Sequence, residues 1–306
     1  LSLHDALPIF PYNKQMKRKV DKFKSFAHDY MRLTPYCCDP SKINEECGTF
    51  DYYIAGGDQI WNTGCFEFEW YYYLDFVRNG KKIAYAPSMG PNGRKTIPAH
   101  LAERVRREVK TYQAVAVRDS GTAAFFDSNL PVVLDPTMLL DVEEWNKLAG
   151  DSPLIKGEYV FYYDPFDHEV GKNAAREYAV EHGYRIVSSN IYMIFQKDTR
   201  TFDYRLDAGP LEFLNFVKYA KYCIGRSFHL CVFSLLFRKE FQMADGLIDA
   251  RNRELAESLW GDVERLSKAG DNDMIVSATD YTAEVETRFR DLRESSLLFL
   301  NKALNS

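Results

Sequence analysis

Short apolar runs alternate with amphipathic segments along most of the chain. The apolar runs are bounded by Gly, Pro or charged residues, as buried strands are. The predicted strands are 51–55, 82–86, 114–117, 132–135, 158–163, 185–188, 222–225 and 241–244. Apolar positions at near-helical spacing predict helices at 12–33, 98–110, 141–149, 168–182, 210–221, 230–237, 251–266 and 280–304. Strands and helices in this alternation predict an α/β fold with parallel sheets.

A segment rich in Gly, Pro and Ser, GDSPLIKG at 150–157, divides this alternation into two parts. Because its composition is typical of a linker, we predict an N-terminal α/β lobe over 11–149 and a C-terminal α/β lobe over 158–279. The last helix, within 280–306, has an apolar stripe, and we expect it to pack across the lobes or back onto the N-terminal lobe. Residues 1–10, LSLHDALPIF, resemble translated sequencing-adapter read-through and are expected to be a poorly packed, non-native leader.

Composition and charge restrict the class of protein. The 306 residues are 46% hydrophobic and 27% charged, with a formal net charge of −5. This composition is typical of a soluble globular protein, and the scattered basic residues do not predict a nucleic-acid surface. No apolar run approaches the ~20 residues that span a bilayer. The spacing of the six cysteines matches no zinc pattern, so we expect free thiols in a reducing cytoplasm.

The main candidate for chemistry is the stretch YAKYCIGRSFHLCVFSLLF at 219–237. A predicted strand ends at Gly225, and a mostly apolar helix follows. Backbone N–H groups at the start of a helix attract anions, and Ser227 is placed to cap this helix. Arg226 and His229 could therefore hold a phosphate and move a proton at this junction. The alternative is a buried helix with one hydrogen-bonded histidine.

A second strand end carries polar side chains. The predicted strand 51–55 runs into a Gly-Gly-Asp turn, where glycine allows the backbone to turn tightly and to approach a ligand. Ligands of α/β proteins bind at such strand ends. We therefore predict that Gly57, Asp58 and Gln59 line a site, whereas Trp61 packs in the core. The alternative for Asp58 is that it caps the next turn.

Arg118 also lies between a predicted strand, 114–117, and the start of a helix. It is a candidate for binding an anion, and the alternative is a salt bridge with Asp119 or another neighbour, the commoner fate of an arginine. Asp135 ends a further predicted strand and precedes a proline. We expect Asp135 to fix a loop or a helix start rather than to act as a catalyst.

Several longer blocks of sequence follow one another in a fixed order. They are FDYYIAGGDQIWN (50–62), YYLDFVRNGKKIAYAPSMG (72–90), AVAVRDSGTAAFF (114–126), VVLDPTMLLDVEEWNKLAG (132–150), EFLNFVKYAKYCIGRSFHLCVFSLLF (212–237) and LRESSLLFLNKAL (292–304). In this order they resemble the polysaccharide pyruvyl transferase family, and the resemblance covers nearly everything from about residue 15 onward. GGDQIW and SFH are specific in combination, and neither would be specific alone.

The resemblance implies two Rossmann-like lobes with parallel sheets in a GT-B-like arrangement. Family members usually begin with a strand, a glycine-containing loop, a helix and a second strand. This chain enters after that unit, so the N-terminal lobe is expected to be truncated and to lack its opening strands.

The resemblance also implies a reaction, in which a pyruvyl group passes from phosphoenolpyruvate to two hydroxyls of a sugar and forms a pyruvate ketal. The acceptor would be a cell-surface polysaccharide or a precursor such as a lipid-linked oligosaccharide, and the reaction requires neither a cofactor nor a metal. The paired N–H groups of arginine suit the phosphate and carboxylate of the donor. The predicted substrate-binding residues are Arg226, Arg118, Ser227, Gly57, Asp58 and Gln59. His229 is the predicted proton-transfer residue, and Arg118 and Arg226 are expected to face one cleft.

Other positions bear on this hypothesis. His28, His100, His168 and His182 fall in predicted helices without clustered partners, and His4 lies in the leader. The family usually has a small or acidic residue before Ser-Phe-His and a glycine after it. Here Arg226 precedes the motif, which favours anion binding, and Leu230 follows it, which removes a position where the backbone could approach a ligand closely.

Two alternatives stay open at this point. One is a glycosyltransferase of the same fold that uses a nucleotide sugar; a pair of acidic residues for the ribose in the second lobe would favour it. The other is an inactive relative that binds a sugar or a phosphate, which Leu230 and the truncation favour. The sequence does not name the acceptor sugar, because acceptor loops are the least patterned part of the chain.

Overall fold

A computed structural model describes residues 13–90, 97–126, 129–165, 168–189, 200–267 and 271–306. The chain forms two compact units, and the predicted leader at 1–10 lies outside the described residues. The first-sheet unit contains Thr34–Leu140, Leu247–Val263 and Tyr281–Ser306. The second-sheet unit contains the described residues up to Leu33 together with Asp141–Gly246 and Glu264–Asp280.

Strands and helices alternate along the described residues. The strands are Tyr52–Gly56 (β1), Lys81–Tyr85 (β2), Ala114–Ala116 (β3), Tyr159–Tyr163 (β4), Arg185–Ser188 (β5), Phe202–Tyr204 (β6), Tyr222–Gly225 (β7), Phe241–Met243 (β8) and Met274–Val276 (β9). The α-helices are Asn13–Tyr30 (α1), Ile43–Glu46 (α2), Ala99–Val109 (α3), Ser120–Phe125 (α4), Val142–Ala149 (α5), Glu169–His182 (α6), Pro210–Tyr219 (α7), Phe228–Leu236 (α8), Ala250–Trp260 (α9) and Ala283–Asn305 (α10). The predicted α/β class is confirmed.

The first sheet consists of β1, β2 and β3, which pair in parallel in that order. The predicted strand 132–135 is reduced to a parallel bridge between Val132 and Val117. Trp61 is completely buried beside this sheet, and its ring stacks on Tyr73 at a centroid distance of 5.2 Å. The prediction that Trp61 packs in the core is confirmed.

The second sheet has the strand order β6-β5-β4-β7-β8-β9, and all its pairs are parallel except β8 with β9. On one face, Tyr162 and Ile224 pack with Ala175 of α6. On the other face, the ring of Phe161 contacts Phe213 of α7 at 5.6 Å. Because successive side chains of a strand point to opposite faces, α6 and α7 cover opposite sides of this sheet.

The chain passes between the units more often than the single predicted linker implies. α1, predicted in the lobe over 11–149, belongs to the second-sheet unit, where Lys22 pairs with Glu212 at 2.6 Å. α5 belongs to the same unit, whereas α9, predicted in the lobe over 158–279, belongs to the first-sheet unit. An amphipathic pattern shows that a helix has a face to bury, but it does not show which sheet receives that face.

The last helix, α10, packs on the first-sheet unit. The ring of its Phe299 lies 6.3 Å from that of Tyr85 on β2. The hydroxyl of Ser296, which is buried, accepts a hydrogen bond from the backbone N–H of Leu134 at 3.1 Å. The helix therefore packs back onto residues of the predicted N-terminal lobe, which is one of the two expected placements.

Candidate functional site

The junction of β7 and α8 places the predicted Arg226, Ser227 and His229 together at the carboxyl edge of the second sheet. β7 ends at Gly225, and α8 begins three residues later at Phe228. Ser227 is the N-cap, and its hydroxyl accepts a hydrogen bond from the backbone N–H of Leu230 at 3.4 Å. The predicted cap is confirmed, and the start of a nine-residue helix lies beside Arg226 and His229.

A close approach of two strands positions this junction. A Cβ atom at Gly225 would lie 1.9 Å from the carbonyl oxygen of Tyr163, the last residue of β4. The backbone N–H of Arg226 donates to the same oxygen at 3.3 Å. Only glycine fits where the backbones meet so closely. Arg226 is therefore held directly beside the end of β4.

The Arg226 guanidinium pairs with Asp245, which follows β8, at 3.2 Å. The two side chains are 32% and 28% exposed. Asp245 has a left-handed φ of 53°, and its backbone N–H donates to the carboxylate of Asp273 at 2.8 Å. A guanidinium carries five N–H donors, so Arg226 can contact an oxyanion and still keep this carboxylate partner.

His229 is the second residue of α8, and its side chain is partly exposed. Its ring lies edge-on to that of Phe228, with 5.6 Å between centroids. Leu230, the residue that departs from the family pattern, is fully buried and lies against Gly225. Its side chain thus points into the interior of the unit, so it does not stand between a ligand and the start of the helix.

After the neighbouring strand β4, an aspartate and a histidine form a pair that the sequence analysis did not predict. Asp164 follows β4 directly and is fully buried. Its Oδ2 accepts from the backbone N–H of His168 at 3.1 Å and lies 3.0 Å from Nδ1 of the same residue. The expectation that His168 has no clustered partner is therefore wrong. An aspartate at the end of a predicted strand, four residues before a histidine at the start of a predicted helix, is the signal that would have found this pair.

A lysine lies at the end of β5 on the same edge. Nζ of Lys19, in α1, donates to the carbonyl of Ser189 at 3.4 Å. Burial lowers the pKa of this ammonium to about 8, and the nearby Asp207 carboxylate partly opposes the shift. The sequence placed α1 in the other lobe, so Lys19 was not a candidate.

In the first-sheet unit, Arg118 forms a buried ion pair. Nη1 lies 2.9 Å from Oδ2 of Asp135, and each side chain is 2% exposed. Nη2 lies 3.4 Å from Oδ1 of Asp58. Asp135 also accepts a hydrogen bond from the backbone N–H of Thr137 at 3.0 Å, so its expected loop-fixing role is confirmed. Arg118 therefore forms ion pairs with the buried Asp135 and with the exposed Asp58.

The helix start after Arg118 is occupied by another carboxylate of the protein. The backbone N–H of Ser120 donates to Glu254 of α9 at 2.8 Å, and the Ser120 hydroxyl donates to the second oxygen at 2.5 Å. Asp119 caps α4 by accepting from the backbone N–H of Thr122 at 2.7 Å. Both the guanidinium and the helix start thus have acidic partners within the chain. The local contacts favour a structural role for Arg118.

The Gly-Gly-Asp turn is built on left-handed backbone. The φ angles are 76° at Gly57 and 40° at Asp58. The carbonyl of Asp58 accepts from the backbone N–H of Ser88 at 2.8 Å, and the amide oxygen of Gln59 accepts from the Asn62 side chain at 3.1 Å. This turn lines an open cavity of about 250 Å³. The lining residues are Asp58, Gln59, Ile60, Asn62, Cys65, Glu67, Phe68 and Tyr72.

The predicted site residues therefore fall into two groups, one in each unit. Arg226, Ser227 and His229 are together in the second-sheet unit. Gly57, Asp58, Gln59 and Arg118 are together in the first-sheet unit. That Arg118 and Arg226 face one cleft stays a prediction.

A parallel α/β sheet with an arginine, a histidine and a helix start at its carboxyl edge is an arrangement that suits enzymes of anionic substrates. The family model for polysaccharide pyruvyl transferase matches residues 4–241, which is most of the chain. The chain belongs to this family, and the family name indicates a transferase that acts on polysaccharide. No curated protein matches the chain. The family match includes residues 4–10 of the segment predicted to be a leader.

Two features are absent from the part of the chain that the structure describes. None of its helices is both long and apolar enough to cross a bilayer. Within the same residues, no group of three or more His, Cys, Asp or Glu side chains could hold a metal ion.

The two carboxylates beside Arg118 give a prediction about stability. Asp135→Asn should lower the free energy of unfolding by about 3–5 kcal/mol, because it leaves a buried guanidinium without its buried counter-charge. Asp58→Asn is the matched control: Asp58 contacts the same guanidinium but is 64% exposed, so it should cost less than about 1 kcal/mol. Urea unfolding of both variants measures the difference. Equal losses would contradict the assignment of Asp135 as the principal partner.

Proposed function

We propose that this protein transfers a pyruvyl group from phosphoenolpyruvate to two hydroxyls of a sugar in a cell-surface polysaccharide or its lipid-linked precursor. The observation that carries the proposal is the pairing of Arg226 and His229 at the start of α8, at the carboxyl edge of a parallel sheet, in a member of this family. The reaction takes place in the cytoplasm and uses no cofactor, and phosphoenolpyruvate is the donor substrate.

Arg226 is proposed to bind the donor. Phosphoenolpyruvate carries a phosphate and a carboxylate close together, and a guanidinium can bind either through two parallel charge-assisted hydrogen bonds. The N–H groups at the start of α8, next to Ser227, supply further positive potential. Asp245 orients the guanidinium through its 3.2 Å contact without occupying all of its donors.

His229 is proposed to move the proton that the reaction needs at carbon. Addition to the enol requires a proton on the methylene carbon and attack by a sugar hydroxyl on the adjacent carbon as positive charge develops there. A histidine can give and take a proton near neutral pH, and His229 is partly exposed on the first turn of α8. It therefore lies beside the proposed donor-binding arginine.

The cavity beside the Gly-Gly-Asp turn is proposed to bind the acceptor sugar. Asp58, Gln59, Asn62 and Glu67 offer oxygen and amide groups to hydroxyls, and Tyr72 adds an aromatic surface. The charged side chains among its lining residues are acidic, so the cavity suits neutral hydroxyls better than a phosphate. The GT-B-like fold that the resemblance implies belongs to this proposal. Arg118 then holds the turn that carries Asp58.

The test is phosphate release by the purified chain. We expect release from phosphoenolpyruvate that depends on a sugar acceptor, with one ketal formed for each phosphate. Turnover of a nucleotide sugar in place of phosphoenolpyruvate would support the glycosyltransferase alternative. Tight binding of phosphoenolpyruvate without turnover, over a broad panel of acceptors, would support the inactive relative.

Arg226→Lys tests the donor site. The variant should weaken binding of phosphoenolpyruvate about 10-fold to 100-fold, because the charge remains while the paired N–H fork is lost. Isothermal titration with phosphoenolpyruvate measures this directly. Arg185→Lys is the control, since Arg185 begins β5 at the opposite edge of the same sheet. This variant should bind phosphoenolpyruvate with the affinity of the wild type. Equal affinities of the Arg226→Lys variant and the wild type would contradict the assignment.

A further inference from the structure

Three adjacent strands of the second sheet are each followed by a charged residue within two positions. Tyr163 of β4 is the register partner of Gly225 in β7, and Gly225 is the partner of Met243 in β8. Asp164 and Arg226 follow their strands immediately, and Asp245 follows β8 by two residues. The order along the edge is therefore carboxylate, guanidinium, carboxylate, with the proposed donor-binding residue in the middle.

The strand residues before Asp164 and Arg226 pack against α6. Tyr162 and Ile224 share one hydrophobic cluster with Ala175 of α6. Asp164 and Arg226 each come two residues after a member of that cluster. Asp164 contacts His168, and α6 begins directly after that residue.

The contact between Asp164 and His168 fixes the imidazole. The buried carboxylate accepts from the His168 backbone N–H at 3.1 Å and lies 3.0 Å from Nδ1. A carboxylate at Nδ1 holds the proton on that nitrogen, which leaves Nε2 as the basic nitrogen of the ring. The side chain is 43% exposed, so the ring is accessible at the edge of the sheet.

We propose that His168, oriented by Asp164, is the second proton-transfer residue of this site and acts on the acceptor hydroxyl. The inference rests on the proposed function, which needs two proton transfers in opposite directions. One proton must reach the methylene carbon of the donor, and another must leave the attacking hydroxyl. His229 follows Arg226 at the end of β7, and Asp164 holds His168 at the end of the neighbouring β4, so one histidine can serve each transfer.

The proposed transfer has two steps. His229 gives its proton to the methylene carbon, the acceptor oxygen bonds to the adjacent carbon, and the hydroxyl proton passes to Nε2 of His168. In the second step, the bond from that carbon to the phosphate oxygen breaks, and His168 returns its proton to the departing phosphate. The second sugar hydroxyl closes the ketal and gives its proton to His229. Both residues then regain their starting protonation states.

The test compares His168→Gln with His182→Gln, a histidine at the other end of the same helix. With an acceptor that the wild type uses, His168→Gln should lower kcat about 10²-fold to 10³-fold and leave the KM for phosphoenolpyruvate nearly unchanged. His182→Gln should retain wild-type kinetics. If His168→Gln retains a kcat within about twofold of the wild type, the proton-transfer role is overturned.

A second variant distinguishes loss of proton transfer from a change in structure. His168→Ala removes the imidazole. If the ring moves a proton, imidazole added to the assay should raise the kcat of this variant at least about tenfold. No rescue in a variant whose circular dichroism and melting curve match the wild type would overturn the inference. A wild-type chain that releases no phosphate from phosphoenolpyruvate would overturn the proposed function, and this inference with it.

Discussion

Replacing His229 by Gln is expected to lower turnover of phosphoenolpyruvate about 10²-fold to 10⁴-fold, the usual contribution of a general acid–base residue. Glutamine keeps a hydrogen-bonding group at the start of α8 but cannot cycle a proton. Because Arg226 and the helix start remain, donor affinity should change much less than kcat. Steady-state kinetics with phosphoenolpyruvate as the varied substrate separates the two quantities.

The control for His229 is His100→Gln. His100 is an exposed histidine in α3 of the first-sheet unit and should be replaceable without effect on kcat. Thermal unfolding of the His229→Gln variant shows whether the fold is intact. A folded variant with normal turnover would exclude proton transfer by His229 and would support the alternative of a histidine that is only part of the structure.

Replacing Gly225 by Ala is expected to lower the free energy of unfolding by more than about 4 kcal/mol, a loss that single substitutions cause only when they disturb the structure severely. The added Cβ would lie 1.9 Å from the Tyr163 carbonyl oxygen and 2.7 Å from Cδ2 of Leu230. The Tyr163 carbonyl belongs to the backbone and cannot move away as the end of a flexible side chain can. β4 and β7 would therefore have to separate at their carboxyl ends. Chemical denaturation, or the yield of folded protein where folding fails, measures the loss.

Gly64→Ala is the matched control in the other unit. Its Cβ would meet only the side-chain oxygen of Asn62, at 3.3 Å, so the cost should stay below about 1 kcal/mol. If Gly225→Ala unfolds at the same denaturant concentration as Gly64→Ala, the close approach of β4 and β7 is wrong. The side-by-side placement of Asp164 and Arg226 would then lose its basis.

The strands that sequence analysis found are those with enough apolar residues to make a pattern. The runs that became β1, β2, β4 and β7 are all predicted. β6 and β9 are three residues long, and neither is among the predicted strands. A three-residue strand shows less than two full repeats of the side-chain period, so its neighbours in the sheet, rather than its own sequence, decide that it forms.

The candidate site residues that lie within one short segment could be predicted from the sequence. Contacts with residues from elsewhere in the chain could not. Arg226, Ser227 and His229 lie within four consecutive residues, and the strand-to-helix pattern around them placed them correctly. Asp135 is the partner of Arg118 through a contact that no spacing rule predicts. Leu230 appeared to disturb the site, yet it is buried, because a helix position next to a functional residue can point to the opposite side.

Product analysis in D2O tests the central claim most directly. The wild-type chain would be incubated with phosphoenolpyruvate and an acceptor, and the ketal would be examined by NMR together with the released phosphate. We predict equal amounts of phosphate and ketal, with deuterium in the ketal methyl group, because one proton is added to the methylene carbon during transfer. Phosphate release without a ketal, or a ketal methyl group that carries no deuterium, would contradict pyruvyl transfer by proton addition at this site.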